Sequence, residues 1–132
     1  MSCLFCRIVA GEIHARVVYS DDLALAFLDI APFHPGHTLV IPRRHVDGLL
    51  DDPTALAEIA PAVSATAALL SERLGADGIN LLGNTGEAAG QEVFHLHLHL
   101  IPRYADRPGL GQMAVREPDI DSDEVYRRLT GS

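Results

Sequence analysis

Polar and apolar residues alternate most regularly between residues 94 and 101 of the chain. The alternating positions are, in order, His95, Leu96, His97, Leu98, His99 and Leu100. A period of two is typical of a β-strand, because successive side chains of a strand point to opposite faces of the sheet. The pattern therefore predicts a strand with three imidazoles about 7 Å apart on one face and leucines facing a core on the other.

Apolar runs bounded by turn residues predict four more strands. Residues 16–20 and 23–30 are typical of a hairpin of two antiparallel strands around an Asp21-Asp22 turn. Residues 36–42 and 79–84 predict two further strands, each bounded by loops of small and polar residues. Together with residues 94–101, the chain is expected to hold five strands.

Apolar residues at helical spacing predict one main helix, which starts at the acidic, Pro-containing residues 51–53 and ends at Gly75. Pro61 falls inside this pattern and is expected to kink the helix or divide it. Residues 7–13 predict a short helix or turn, and residues 125–129 a short final helix or a tail. Paired strands with helices set apart favour an α+β fold on a mostly antiparallel sheet.

The composition restricts the partners and surroundings of the protein. A chain of 132 residues that is 48% hydrophobic is long enough for one domain and its core. Its net charge is −8, with ten arginines and no lysine, so we expect no nucleic-acid partner. No apolar run approaches the length of a membrane span and no secretory signal is visible, so we expect no membrane partner. A cytoplasmic protein with reduced cysteines is predicted.

Two cysteines, Cys3 and Cys6, are separated by two residues at the start of the chain. This spacing is found in half of a zinc site, in redox pairs, and in proteins where it serves neither purpose. A redox pair normally follows a strand, which two preceding residues cannot provide, so half of a zinc site is the better interpretation. His45, just after a predicted strand, and one strand histidine would complete a closed Cys2His2 set.

The three strand histidines are compatible with two chemistries. They could bind a catalytic metal, or one imidazole could attack phosphorus to give a phospho-histidine that water then opens. An exposed strand that merely carries histidines is the third interpretation. Asp29, where a strand ends, is either a turn residue or an acceptor that faces a ligand. Arg43 and Arg44 are either anion contacts or part of a solvated turn.

The segment from His95 to Ile101 resembles the His-φ-His-φ-His-φ-φ motif of the histidine triad (HIT) nucleotide-binding family. Residues 3–6, 27–30, 35–45, 84–86 and 90–91 also resemble family segments, in the family's order, so the resemblance covers roughly residues 3–103. It implies a five-stranded, mostly antiparallel sheet with one main helix and short helices. It also implies a homodimer and a single HIT domain over 1–132, with its core at about 3–103 and a C-terminal extension at 104–132.

The resemblance also implies a role for each matching residue. His97 would be the nucleophile that attacks the α-phosphorus of a nucleotide, and His99 would contact the phosphate. A structural zinc ion would be held by the set of the Hint-like branch, which here is Cys3, Cys6, His45 and His95. The nucleotide would lie against Leu4, Phe5, Ile8, Phe27, Asp29, Ile30, Asn84, Gln91 and His99, with Asp29 on the ribose hydroxyls and the amides near the phosphate.

By the same resemblance, the protein would hydrolyse the P–N bond of purine nucleoside 5′-phosphoramidates. The alternatives are a dinucleoside polyphosphate hydrolase and a nucleotide-binding or partner-binding module whose hydrolysis is incidental. Two departures bear on this choice. Glu92 stands where the Hint branch often has a small hydroxyl residue, and an acid beside a phosphate repels it. The chain also lacks the Trp-Pro-Pro ending of many eukaryotic Hint proteins, an end that shapes the leaving-group preference.

Overall fold

The computed structural model describes residues 3–107 and 116–131. Part of the predicted C-terminal extension, residues 108–115 and 132, lies outside the described residues. Within them the elements follow in the order α1 (Leu4–Val9), β1 (Val17–Ser20), β2 (Ala24–Leu28), β3 (Thr38–Pro42), α2 (Ala55–Leu74), β4 (Gly78–Gly83), a 3-10 helix (Glu87–Ala89), β5 (Leu98–Arg103) and α3 (Ser122–Thr130).

All five strands join one antiparallel sheet in the order β1-β2-β3-β5-β4, which confirms the predicted fold class. β2 and β3 lie inside the sheet and are apolar at almost every position, because both of their faces are covered. On one face α2 packs through Ile59, Ala62 and Leu70 against Ala24, Ala26, Val40 and Leu100. On the other face Phe5 of α1 packs against Leu25, Phe27, Leu39 and Ile41.

The histidine strand begins later than its pattern predicts. β5 starts at Leu98, so the prediction of a strand from residue 94 is wrong for His95 and His97, which lie in the irregular segment before it. Pro42 explains why β5 starts late. The last pair of residues between β3 and β5 is Val40 with Leu98, and Pro42 lies two residues beyond Val40. Proline has no N–H that could continue the ladder of hydrogen bonds there. The backbone there bonds elsewhere, since the Leu96 N–H donates to the carbonyl of Val46.

Pro61 does not divide the main helix. α2 runs without interruption for 20 residues, with Pro61 exposed in its second turn. By length and composition alone α2 could also cross a membrane, whereas no apolar run of that length was expected. Its buried positions recur at helical spacing and pack across the sheet, as in the core helix of a globular domain. They are Ala55, Ile59, Ala62, Thr66 and Leu70.

The two short helices differ in how they are held. α1 begins at Leu4, earlier than predicted, because the thiol of Cys3 accepts the Cys6 N–H as an N-cap. Phe5 fastens α1 to the sheet through an edge-to-face contact with Phe27, the ring centroids being 5.4 Å apart. α3 is the predicted final helix, and all of its residues are exposed.

Candidate functional site

Four potential metal ligands converge where α1, the end of β3 and the segment before β5 meet. They are Cys3, Cys6, His45 and His95, and one donor atom of each lies within 4.8 Å of all the others. The Nδ1 atom of His95 is 3.4 Å from the sulfur of Cys3 and 3.5 Å from that of Cys6. The Cys6 sulfur is also 3.3 Å from Nδ1 of His45. A tetrahedral zinc ion with its usual bond lengths holds sulfur and nitrogen about 3.5 Å apart, so this donor set fits zinc.

The far nitrogens of both histidines support the same interpretation. Nε2 of His95 lies 2.8 Å from the carbonyl oxygen of Pro42, and a carbonyl only accepts, so Nε2 carries the proton. Nε2 of His45 is paired in the same way with the carboxylate of Asp47. In its neutral form, each ring therefore presents an unprotonated Nδ1 to the cysteines. Metal-binding histidines are typically held by such an outer hydrogen bond.

The surroundings of Cys6 disfavour its thiolate form. Burial, together with the hydrogen bond and charge of the neighbouring Cys3, raises the pKa of Cys6. Burial also lowers the pKa of His95 and so keeps this ring neutral, as a metal ligand must be. Two thiols and two imidazoles give each other no compensation for a thiolate charge when the imidazoles are in the neutral form that binds a metal. A divalent cation at their centre would provide it.

His97 is buried and its ring orientation is fixed. Its Nδ1 lies 2.7 Å from the carbonyl oxygen of His95, so Nδ1 carries the proton and Nε2 keeps its lone pair. The ring of Phe5 stands perpendicular to the imidazole with the centroids 5.1 Å apart. An imidazole with a fixed lone pair on its outer nitrogen has the form that a nucleophile requires.

His99 lies in β5 and contacts His37, a fifth histidine that was not among the residues expected at the site. Nδ1 of His99 is 2.9 Å from Nε2 of His37, which is buried and lies just before β3. Burial and the neighbouring His97 and His37 lower the pKa of His99 to about 4, and burial also lowers the pKa of His37. Both rings are therefore neutral at pH 7.

Asp29 lies within reach of this pair, just beyond the end of β2. Its Oδ1 accepts the backbone N–H of Ala31, which is the turn role considered from the sequence. Its Oδ2 is 3.5 Å from Nε2 of His37, and the side chain is 19% exposed. One oxygen thus forms the turn while the other faces the histidines, so the two roles do not exclude each other.

The residues expected to contact the base differ widely in exposure. Phe5 and Phe27 are about 95% buried in the core below the histidines, whereas Ile30 is 98% exposed. Ile8 is partly buried and packs against the same core, and Leu4 is half-exposed. Only small parts of Phe5 and Phe27 are accessible to a base. Most of the apolar surface against a base would therefore come from the more exposed residues, Leu4 and Ile30.

The amide of Gln91 is engaged in internal hydrogen bonds. Its Oε1 accepts the N–H of Gly86, and its Nε2 donates to the carbonyls of Asp47 and Val93. Gln91 therefore braces the loops that carry the histidines, and the expected contact between its amide and a phosphate would require one of these bonds to break. Asn84 is partly buried beside the same loop, and Glu92 is exposed on the surface.

Arg43 and Arg44 make internal ion pairs and hydrogen bonds. Arg43 donates to the carbonyl of Asp21 and to the hydroxyl of Ser20, and so closes the hairpin. Arg44 bonds to Glu58 and Asp52 at the start of α2, which raises the pKa of its guanidinium and lowers the pKa of Glu58. Hydrogen bonds from Thr54, and then from Arg44, lower the pKa of Asp52. The interpretation of these arginines as anion contacts is therefore not supported by their bonding.

Two contacts of His37 could not be predicted from the sequence. His37 stands in a predicted strand of apolar residues, where a histidine usually means a satisfied core position, and only its pairing with His99 across the sheet shows more. The backbone N–H of Phe33 donates to Nδ1 of His37, and a backbone donor has no sequence signal at all. The one available hint was that His37 lies between a Pro-Gly turn and a buried strand.

The chain is similar in sequence and in structure to known proteins. The model of the HIT domain matches residues 10–106. An uncharacterised HIT-like protein of Methanocaldococcus jannaschii is 43% identical over 98% of this chain and 99% of its own. The adenylylsulfatase HINT3 of Arabidopsis thaliana is 40% identical over 76% of this chain and 52% of its own. A Zn-bound histidine triad family protein of Mycobacterium smegmatis has a TM-score of 0.76 and 43% identity, over 98% of this chain and 92% of its own.

Proposed function

Because the chain belongs to the HIT domain family, we propose that it hydrolyses purine nucleoside 5′-phosphoramidates at the α-phosphate through a nucleotide bound covalently to His97. Family membership and the hydrolase name of the Arabidopsis relative support the broader function of a nucleotide-binding hydrolase. The observation that carries the finer proposal is the hydrogen bond from Nδ1 of His97 to the carbonyl of His95, because it leaves Nε2 free to attack.

The reaction would proceed in two displacements at phosphorus. In the first, the lone pair of His97 Nε2 forms a bond to the α-phosphorus, the P–N bond to the amine breaks, and the leaving amine takes one proton from solvent. In the second, water forms the new P–O bond, the bond to Nε2 breaks, and one proton is released. The imidazole is cationic between these steps, and the carbonyl of His95 stabilises it through the Nδ1 proton.

The neighbouring residues would hold the nucleotide for this attack. Oδ2 of Asp29 would accept the ribose hydroxyls, and the Nε2 proton of His99 would donate to a phosphate oxygen. Ile30 and the accessible parts of Ile8, Phe5 and Phe27 would cover the base, with few base-specific hydrogen bonds. We therefore expect weak discrimination among purines.

A structural zinc ion would be held by Cys3, Cys6, His45 and His95. With four protein ligands it would have no open position for substrate or water, so its contribution would be to fix the segment that carries the nucleophile. His95 connects the two sites, because its ring faces the cysteines while its carbonyl accepts the proton of His97. The Zn-bound relative from Mycobacterium smegmatis supports this assignment.

We also propose a homodimer in which β4 edges of two chains meet. β4 is an outer strand of the sheet, so one row of its N–H and C=O groups has no strand beside it. Leu81 in this strand is 57% exposed, an apolar surface that a second copy would cover. The sheets of two chains would then be continuous.

A second substrate class shares the same chemistry. The name of the Arabidopsis relative indicates a sulfate leaving group on adenylate, and dinucleoside polyphosphates carry a nucleotide leaving group at the same phosphorus. Steady-state kinetics with adenosine 5′-phosphoramidate, adenosine 5′-phosphosulfate and a diadenosine polyphosphate, on one preparation, would rank the three. Phosphoramidate should have the highest kcat/KM. A higher value for either of the others would overturn the proposed specificity.

The covalent step has its own test in His97→Ala. Loss of the nucleophile should abolish turnover while zinc content and nucleotide binding stay close to those of the wild type. Mass spectrometry after an acid-free quench should find a nucleotide-sized adduct on the wild-type peptide that contains His97. Near-normal turnover by His97→Ala, or inversion of configuration at phosphorus, would show that water attacks directly.

A further inference from the structure

The contact between His37 and His99 has no part in the chemistry assigned so far. The two rings are joined by a contact of 2.9 Å between Nε2 of His37 and Nδ1 of His99. Their centroids are 5.2 Å apart, and His37 is 1% exposed, so no water competes for its ring nitrogens. A buried pair of neutral imidazoles must have one donor and one acceptor at the contact.

The backbone decides which ring donates. The N–H of Phe33 lies 3.1 Å from Nδ1 of His37, and a backbone N–H only donates, so this nitrogen is the acceptor. A neutral imidazole has one N–H, which must then be on Nε2 of His37. That proton points at Nδ1 of His99, so His99 accepts there and carries its own proton on Nε2. The ring of Phe33 stacks on His37 at an angle of 14° and holds it in this orientation.

The same hydrogen bond excludes a competing interpretation of the cluster. Asp29, His37 and His99 bring three potential metal ligands within 4.8 Å of one another. A metal on Nε2 of a neutral His37 would require the proton to move to Nδ1, where it would face the N–H of Phe33. Two N–H groups, that of Phe33 and that of His37 Nδ1, would then face each other in a buried position, and neither would have an acceptor there. The cluster is therefore built to carry hydrogen bonds and not a second metal.

We propose that His37 is a positioning residue that, anchored by the backbone of Phe33, holds His99 in the tautomer with its proton on Nε2, so that His99 offers a donor to the α-phosphate. This proposal rests on the proposed function and gives the phosphate contact of His99 its cause. His97 and His99 then carry opposite tautomers: the first keeps a lone pair for phosphorus, and the second keeps a proton for a phosphate oxygen. Burial, which keeps both members of the pair neutral, is consistent with this arrangement.

The arrangement can be observed directly in the ligand-free wild-type protein by NMR with ¹⁵N-labelled histidine at pH 7. We expect a proton on Nε2 of both His37 and His99, an unprotonated Nδ1 on both, and a ¹⁵N–¹⁵N coupling between Nε2 of His37 and Nδ1 of His99. A proton on Nδ1 of His99, or on Nδ1 of His37, would overturn the proposal. Binding of a second zinc ion per chain that displaces the coupling would overturn it as well.

Two substitutions test the consequence for catalysis. His37→Phe keeps an aromatic ring but cannot donate, so kcat/KM should fall about tenfold to a hundredfold, as expected for a weakened phosphate donor. His37→Gln offers an amide N–H and should recover part of this loss. The matched control is His34→Phe, which changes a histidine of the same loop whose ring contacts Tyr104 instead. It should stay within about twofold of the wild type.

A folded, zinc-containing His37→Phe variant that is as active as the control would show that His37 has no positioning role. The NMR result separates this failure from a failure of the proposed function. If the protein hydrolyses none of the three substrates but the predicted coupling is present, the reaction assignment is wrong while the tautomer assignment holds. If phosphoramidate is hydrolysed but Nδ1 of His99 is protonated, the reaction assignment holds and the tautomer assignment is wrong.

Discussion

Nε2 of His95 lies 2.8 Å from the carbonyl oxygen of Pro42, the last residue of β3. This bond connects two features of the sequence that have no obvious relation. Pro42 has no N–H with which to extend the β3–β5 ladder, so the chain around His95 leaves the sheet, and the freed carbonyl then fixes the tautomer of His95. The imidazole presents Nδ1 to the two cysteines as a result.

We predict that protein purified without added metal contains about one zinc per chain, measured by elemental analysis. Removal of the zinc by a chelator should lower the free energy of unfolding by about 3 kcal/mol or more, the linkage expected for a metal present at 100 times its Kd. His45→Gln should lower both the zinc content and the melting temperature. His45 is exposed, so the substitution itself removes little packing.

His34→Gln is the control for this experiment, because His34 belongs to neither cluster of potential metal ligands. A metal-free protein that is folded and equally stable would remove the zinc assignment. Zinc that stays bound in His45→Gln but is lost from His97→Ala or His99→Ala would instead indicate a metal at the catalytic histidines.

The depressed pKa of His99 predicts how stability depends on pH. Folded His99 has a pKa of about 4, and an unfolded histidine one of about 6.5. Between these values the unfolded chain binds a proton that the folded chain does not, so the free energy of unfolding rises with pH across this window. In His99→Gln the slope should fall by at most about 1.4 kcal/mol per pH unit, the value for one proton.

Urea denaturation at intervals between pH 4.5 and pH 7 measures this slope. Zinc release at acid pH affects the wild type and the variant alike, so the difference between them isolates His99. The exposed His14 provides the control, since His14→Gln should leave the slope unchanged. Equal slopes for His99→Gln and the wild type would show that His99 takes up its proton as readily in the folded chain as in the unfolded one.

The fold was largely predictable because its signals are local. Period-two and period-3.6 patterns located five strands and the main helix, and the final helix was among the expected elements. Two differences between expectation and structure involve prolines, whose effect depends on tertiary context. Pro61 is exposed in a helix that packs on a sheet, and packing outweighs the lost hydrogen bond. Pro42 ends a ladder only because of its register against β5.

The candidate site was predictable in composition but not in its hydrogen bonds. Residue types and the family resemblance selected Cys3, Cys6 and His45 together with the three histidines before β5 and in it. Sequence cannot show that Gln91 uses its whole amide internally, because its partners are backbone carbonyls and an N–H from three separate segments. His37 was missed for the same reason. Its role depends on which of its ring nitrogens accepts the backbone N–H of Phe33, and the sequence does not show this.

We predict that Asp29 confers a preference for ribonucleotides. Asp29→Asn keeps an oxygen for the N–H of Ala31, so the turn is retained, while the outer oxygen becomes a donor. Calorimetry with AMP and 2′-deoxy-AMP should show AMP binding weakened about tenfold and 2′-deoxy-AMP binding weakened less. Asp22→Asn, an exposed turn residue, is the control. Equal losses for both nucleotides would mean that Asp29 serves only the turn.

The last prediction concerns the second copy of the chain. Sedimentation equilibrium should give twice the mass of one chain, and Leu81→Glu should give a monomer, because a charge at the centre of the β4 edge would be buried without a partner on both sides of the interface. Leu23→Glu is the matched control: Leu23 is 52% exposed, close to the 57% of Leu81, and lies beside β2 at the other side of the sheet. This variant should remain dimeric. A wild-type monomer would contradict the proposed dimer, and a dimer that survives in Leu81→Glu would place the interface elsewhere on the molecule.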